Sequence, residues 1–137
     1  MKIIKNKWFP FGGYRAINLF GLVFTKSELS DVDKNHEAIH TRQMVECFIL
    51  GLVIMIILIG LTSLGWIWIL SSIPFYYIWY AIEYIIIYIN NLDDTQNDRY
   101  HEISFEGEAY NYDNNLVYLR FRKPFSWLKY LGVHSNA

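Results

Sequence analysis

Hydrophobic and polar positions are distributed very unevenly along this chain. From Phe48 to Ile89 the sole carboxylate or amine is Glu83, and the remainder is almost wholly Ile, Leu, Val, Met, Trp, Tyr and Phe. A helical bilayer crossing takes roughly 20 apolar residues, so the stretch is long enough for two. A buried helix of a small water-soluble domain keeps a polar face, and none is visible here. The pattern predicts a two-helix transmembrane hairpin, with the first crossing inside 31–70 and the second over 74–90. Two places suit the turn. Ser71-Ser72-Ile73-Pro74 ends in a proline that disfavours helix at and before it, and Gly60-Leu61-Thr62-Ser63-Leu64-Gly65 carries two glycines. Both signals are tolerated within membrane helices; the reading favours the first.

The flanks have a different character. Gly12-Gly13 is a turn signal, and Tyr14 to Lys26 is rich in aromatic and branched residues, interrupted at Gly21. This predicts a short strand pair or irregular sheet within residues 1–30. Ser30-Asp31-Val32-Asp33 resembles a capping box, with acids suited to a helix N-terminus. A helix is therefore expected from about Asp31, running through His36 and His40 into the first crossing. After the hairpin, Asn90-Asn91-Leu92-Asp93-Asp94 interrupts the second arm, and residues 95–119 regain helical character. In 120–137 the segment Phe121 to Leu131 interleaves basic and aromatic residues, as an in-plane interfacial anchor does. The expected fold is mainly α and integral to a membrane: a transmembrane hairpin extended by a helix pair, with a short N-terminal β segment. All of it forms one domain, 1–137.

Charge orients this hairpin. All 12 Lys and Arg residues lie in the flanks, from Lys2 to Arg42 and from Arg99 to Lys129. Two crossings put both flanks on one side, which the positive-inside rule makes cytoplasmic; a bacterial inner membrane with both termini cytoplasmic is the expected location. The apolar run begins too far along the chain for a cleaved signal peptide. Cys47 is the one cysteine, so no intrachain disulfide can form, and it reads as a small buried hydrophobe. The formal net charge is −1 and no nucleic-acid motif is present, so the expected partners are a lipid bilayer and no nucleic acid. Homo-oligomerisation is left open.

Candidate chemistry sits at His36-Glu37-Ala38-Ile39-His40. Helix positions i and i+4 share a face, so His36 and His40 can offer imidazole nitrogens to one ion. Zinc takes such nitrogens, and catalytic sites combine three protein ligands with a water. Glu37 is placed to take a proton from that water. The competing reading is a pair of ordinary surface histidines. A third ligand would separate the two. In His101-Glu102-Ile103-Ser104-Phe105-Glu106-Gly107-Glu108-Ala109-Tyr110, Glu102 and Glu106 are spaced to share a helix face. With a turn near Ser72 and equal arms, residue 106 returns to about the level of residue 38.

These two segments together resemble the gluzincin type of zinc metallopeptidase, most closely its membrane-bound prenyl-protein (CAAX) endopeptidases. There a second helix supplies a glutamate in a pattern of Glu, two residues, Ala, Asp. The resemblance implies zinc as cofactor, His36, His40 and Glu106 as ligands, and Glu37 as catalytic base. Ala109 matches the alanine; Tyr110 stands in the aspartate's place. Asn35-His36 and Arg42-Gln43 are also similar to stretches in short bacterial membrane proteins. The function implied is a membrane zinc endopeptidase acting on peptide or protein substrates.

Other readings stay beside it. Glu102 could replace Glu106 or hydrogen-bond a ligand histidine; Glu108 is expected to face water, His101 to be solvent-exposed and His134 to be irrelevant. Glu83 reads as a protonated or hydrogen-bonded helix-packing residue, near mid-bilayer or paired with Arg42 according to where the hairpin turns. Tyr14–Lys26 is a candidate sheet edge for substrate, with specific substrate-binding residues unknown. Tyr110, Tyr112 and Arg15 are candidates to stabilise an oxyanion. The alternative function is a non-catalytic membrane structural, regulatory or zinc-sensing protein.

Overall fold

The computed structural model describes residues 1–10, 15–90 and 95–132, the backbone alone at 97 and 98. The Gly12-Gly13 turn signal, most of the Asn90–Asp94 interruption and His134 lie outside the described residues.

The N-terminal segment forms a three-stranded sheet of β1 (Lys2–Lys5), β2 (Ala16–Leu19) and β3 (Leu22–Thr25). Its order is β1-β3-β2, parallel between β1 and β3 and antiparallel between β2 and β3, so β2 is an edge. Strand β1 escaped the sequence reading because Lys2-Ile3-Ile4-Lys5 has no turn signal beside it. Phe20 and Gly21 close the β2–β3 hairpin with φ of 52° and 80°, the two left-handed residues of a type I′ turn.

Helix α1 runs over Asp31–Leu61 and starts where the capping box places it. Ser30 Oγ accepts from the Asp33 N–H at 3.0 Å, and the Asp33 carboxylate accepts from the Ser30 N–H at 3.0 Å. Its buried row is Asn35, Ile39, Gln43, Cys47 and Gly51, every fourth residue and hence one helix face. The preferred hairpin turn is corrected. Helix α1 stops at Leu61, and the chain reverses within Thr62–Gly65 rather than at Ser71–Pro74. A 3-10 segment, Trp66–Ser72, then descends along α1, and Gly51 admits it: a Cβ there would meet Ser72 Cα at 3.2 Å and Phe75 Cγ at 3.0 Å.

Helix α2 (Phe75–Asn90) leaves the 3-10 segment at a bend of 57°. The C-terminal third of the chain fills the wedge opened beside α1. The predicted helical stretch 95–119 is broken into α3 (Gln96–His101), α4 (Ser104–Tyr112) and α5 (Tyr118–Phe121), before a second 3-10 segment, Ser126–Tyr130. Met44 and Cys47 of α1, Tyr76 and Ile87 of α2, Ile103, Phe105 of α4 and Trp127 form the core.

Trp127 is fully buried, edge-on to Trp79 and tilted against Phe105. The C-terminal stretch is thus partly core rather than wholly an interfacial anchor, although Phe121, Leu128 and Leu131 remain exposed. Among the described residues, α1 is the one helix long and apolar enough to cross a membrane by itself; Trp66–Ser72 with Phe75–Asn90 qualifies only as a bent pair.

Candidate metal centre

Helix α1 presents His36 and His40 one turn apart, facing α4. Their Nε2 atoms lie 3.0 Å from each other, and Glu106 Oε2 lies 3.5 Å from both. Zinc bonds of about 2.0–2.1 Å at tetrahedral angles separate ligand atoms by about 3.3–3.4 Å. The observed triangle has a circumradius of about 1.9 Å, so an ion slightly above its plane reaches all three atoms at bonding distance. The three residues therefore form a group that could hold a metal ion. Glu106 Oε2 is buried without a hydrogen-bond partner, and a buried carboxylate oxygen is costly to leave unpaired. An ion at that point would satisfy it.

The other oxygen of Glu106 is already engaged. Tyr80 Oη donates to Oε1 at 3.1 Å, and Tyr100 also hydrogen-bonds the carboxylate. Burial opposes ionisation of Glu106. The His40 charge and the hydrogen bonds around the carboxylate outweigh that and hold it well below the usual carboxylate range.

Both ends of the ligand-bearing helix are fixed by side chains from its neighbours. At its N-terminus, Ser104 donates to Glu83 through both N–H (2.8 Å) and Oγ–H (2.7 Å). The intramembrane-type acid of α2 is therefore a cap for α4, matching the hydrogen-bonded reading, and its partner is Ser104 rather than Arg42. At the C-terminal end, Asn35 Nδ2 donates to the carbonyls of Tyr112, Asp113 and Asn115 at 3.0, 2.8 and 3.1 Å. Helix ends carry unpaired N–H and C=O groups, and these two side chains answer them. Register along α4, and with it the position of Glu106, is set by α1 and α2 together.

The other predicted residues divide between the site and its surroundings. Glu102 lies in the turn between α3 and α4; it shares no helix face with Glu106 and is outside the metal-capable group. Glu108 does not face water. It is fully buried and accepts from Gln43 Nε2 (2.9 Å), Tyr118 Oη (2.7 Å) and the Arg122 guanidinium (2.7 and 3.0 Å). His101 is half-buried, its ring 4.1 Å from that of Tyr110. Tyr112 stacks on Tyr118 at 3.8 Å, while Tyr110 lies against His36 at 4.6 Å. Asp113 was missed: its Oδ2 is 3.9 Å from His36 Nδ1. It sits seven residues after Glu106, two helical turns on the same face, so the spacing rather than the residue type concealed it.

Comparison of the chain with family models, curated proteins and solved structures finds no match.

A cleft with two lobes adjoins the three ligands. One, about 410 Å³, has aromatic and apolar walls from Ile17, Met44, Tyr77 and Tyr84. The other, about 750 Å³, is bounded by Arg15, Asp33, Tyr110 and Asp113. Ala16, His36 and Glu37 line both, so Glu37 stands where the lobes meet. Strand β2 borders the cleft, pinned to α1 by Asn18 Nδ2, which donates to Glu37 O (2.8 Å) and Thr41 Oγ1 (3.0 Å).

In a two-residue hairpin the flanking residues form a hydrogen-bonded pair, and such pairs alternate along the ladder with pairs whose backbone groups point outward. Leu19↔Leu22 and Ile17↔Phe24 are the bonded pairs; Ala16 and Asn18 turn outward. The Asn18 carbonyl accepts from Tyr77 Oη at 3.1 Å. Ala16 lines both lobes of the cleft.

Proposed function

We propose that this protein is an integral-membrane zinc-dependent endopeptidase with its active site at the cytoplasmic membrane interface. The observation that carries the reading is the convergence of His36 Nε2, His40 Nε2 and Glu106 Oε2 from two helices, beside Glu37 at the meeting of two cleft lobes. Among the described residues the group has three members, the number used by catalytic zinc sites, whereas structural zinc sites close with four. That favours catalysis over a structural or sensing role.

His36, His40 and Glu106 would hold the ion. Zinc bound there supplies Lewis acidity, polarising a carbonyl and activating water near neutral pH. Glu37 accepts the proton of the attacking water and passes it to the departing amine. The peptide lies extended beside β2, its backbone pairing with Ala16 N–H and C=O. Tyr110, against His36 and open to the polar lobe, donates its hydroxyl to the developing oxyanion.

Membrane insertion is supported by the uncharged exposed faces of Val53, Ile56, Ile57 and Leu61 on α1 and of Trp66, Ile67 and Trp68 on the returning segment. From Phe48 to Leu61 the α1 band is about 20 Å long, short of the roughly 30 Å hydrocarbon core, so the metal ligands fall near one edge of the bilayer.

Hydrolysis of a peptide library by the detergent-solubilised protein tests this reading. Glu37→Gln is expected to lower cleavage by about 10²–10⁴-fold while zinc content is unchanged. Cleavage that survives Glu37→Gln at the wild-type rate would contradict it.

A further inference from the structure

Gln43 occupies the buried face of α1 between the metal-capable group and a cluster of charges. Its side chain is fully buried. Nε2 lies 3.0 Å from the Phe105 carbonyl and 2.9 Å from Glu108 Oε2; Oε1 lies 2.8 Å from His40 Nδ1. An amide has one donor end and one acceptor end, and hydrogen-bond partners decide which is which. Both groups beside Nε2 can only accept: one is a carbonyl and the other a carboxylate. The amide orientation is therefore forced, and Oε1 must face His40. Oε1 can only accept, so His40 Nδ1 must carry a proton.

The chain of constraint continues outward. Glu108 acts as a fixed acceptor because its own carboxylate is held from the other side. Arg122 holds it there with a fork, Nε to Oε1 at 2.7 Å and Nη2 to Oε2 at 3.0 Å, and Tyr118 Oη adds a third bond at 2.7 Å. The same guanidinium grips Glu46 of α1 through Nη1 to Oε1, and through Nη2 to Oε2 at 3.1 Å. The Arg122 side chain is 4% exposed.

We propose that Gln43, Glu108 and Arg122 are positioning residues that fix His40 as the Nδ1–H form and so leave its Nε2 as the ligand atom aimed at His36 and Glu106. Metal-ligating histidines need their second nitrogen held in this way, and loss of the holding group costs about 10–100-fold in metal affinity. Here the holding group is on the same helix, three residues on, and its own orientation depends on a C-terminal arginine. The C-terminal segment thereby belongs to the site through Arg122, which reaches His40 by way of Glu108 and Gln43. The consequence for metal affinity rests on the proposed zinc reading; the protonation of Nδ1 does not.

Nitrogen NMR of histidine-labelled wild-type protein tests the inference directly. His40 Nδ1 is expected to carry a proton both before and after zinc is added, and an unprotonated Nδ1 in either form would overturn the inference whatever the variants do. Zinc titration of Gln43→Leu and Arg122→Met is expected to give affinities about 10–100-fold below wild type, with a changed cobalt absorption spectrum in variants that keep wild-type circular dichroism. Folded variants binding zinc as wild type does would overturn it. Failure of the wild-type protein to bind zinc, with Nδ1 protonated, would instead remove the zinc reading and leave the amide–imidazole arrangement standing.

Discussion

Arg122 also offers the sharpest test of how the domain is held together. Its guanidinium is the one cation in contact with Glu46 and Glu108 among the described ion pairs. Burial opposes its charge, but hydrogen bonds to Glu46 and Glu108 hold its pKa above the usual arginine value, so it stays charged at any accessible pH. Arg122→Met keeps the stem and removes the charge. Four charge-assisted hydrogen bonds vanish, and Glu108, with no exposed side-chain surface, keeps only its hydrogen bonds from Gln43 and Tyr118. Breaking a buried pair from one side costs about 3–5 kcal/mol. In a chain of this length each kcal/mol moves the melting temperature by about 3–5 °C, so the expected fall in Tm is about 10–20 °C in detergent. Adding Glu108→Gln to Arg122→Met should recover part of that loss, because the uncompensated charge goes with it. The assay is thermal unfolding of the four members of this cycle, followed by tryptophan fluorescence. A drop below about 3 °C for Arg122→Met, or a double variant weaker than the sum of the singles, would show that this charge cluster does not hold the C-terminal segment in place.

Four further outcomes are expected. Glu83→Ala strips the cap from α4 and should cost about 1–3 kcal/mol, with weaker metal binding because Glu106 is on the freed helix; Tm and zinc titration check both. Gly51→Leu forces a side chain into Ser72 and Phe75, which a Cβ alone would meet at 3.2 and 3.0 Å, and overpacking of this kind costs about 1–3 kcal/mol or more, read as lower yield of folded protein and lower Tm. Chelation should lower Tm in wild type, by the equivalent of about 2.7 kcal/mol where zinc had been at 100 times its dissociation constant, and should leave His36→Ala unaffected. Zinc affinity should also fall as pH is lowered, because the ligand imidazoles must be neutral, with the bonding nitrogen free of a proton.

Much of this architecture is legible in the sequence because it is encoded locally. Ser30 and Asp33 mark the start of α1 by their own hydrogen bonds, and His36 and His40 follow on one face by helix geometry alone. The return of Glu106 to the histidine level is also legible, but by the wrong route. The equal-arm estimate turns the chain at Ser72, whereas it turns at Thr62–Gly65, descends as a tighter 3-10 segment and then bends. What sequence could not supply was long-range pairing. Glu83 reads as a helix-packing acid with Arg42 as its one named partner until Ser104, 21 residues on, is seen to donate to it twice. Glu108 looks like a surface residue until Arg122 enters the core, and that arginine sits in a segment whose mix of cations and rings reads as a membrane anchor. The break between α3 and α4 has the same origin, since capping of Ser104 by another helix is invisible in the local pattern.

The proposed function stands or falls with one catalytic zinc ion bound by His36, His40 and Glu106. Its decisive test is the zinc content of the purified, detergent-solubilised protein, compared with His36→Ala, Glu106→Gln and Glu37→Gln. Near one zinc per chain is expected in wild type, with loss in His36→Ala, reduction in Glu106→Gln and no change in Glu37→Gln. Wild-type protein that takes up no zinc even after reconstitution would rule the metallopeptidase reading out.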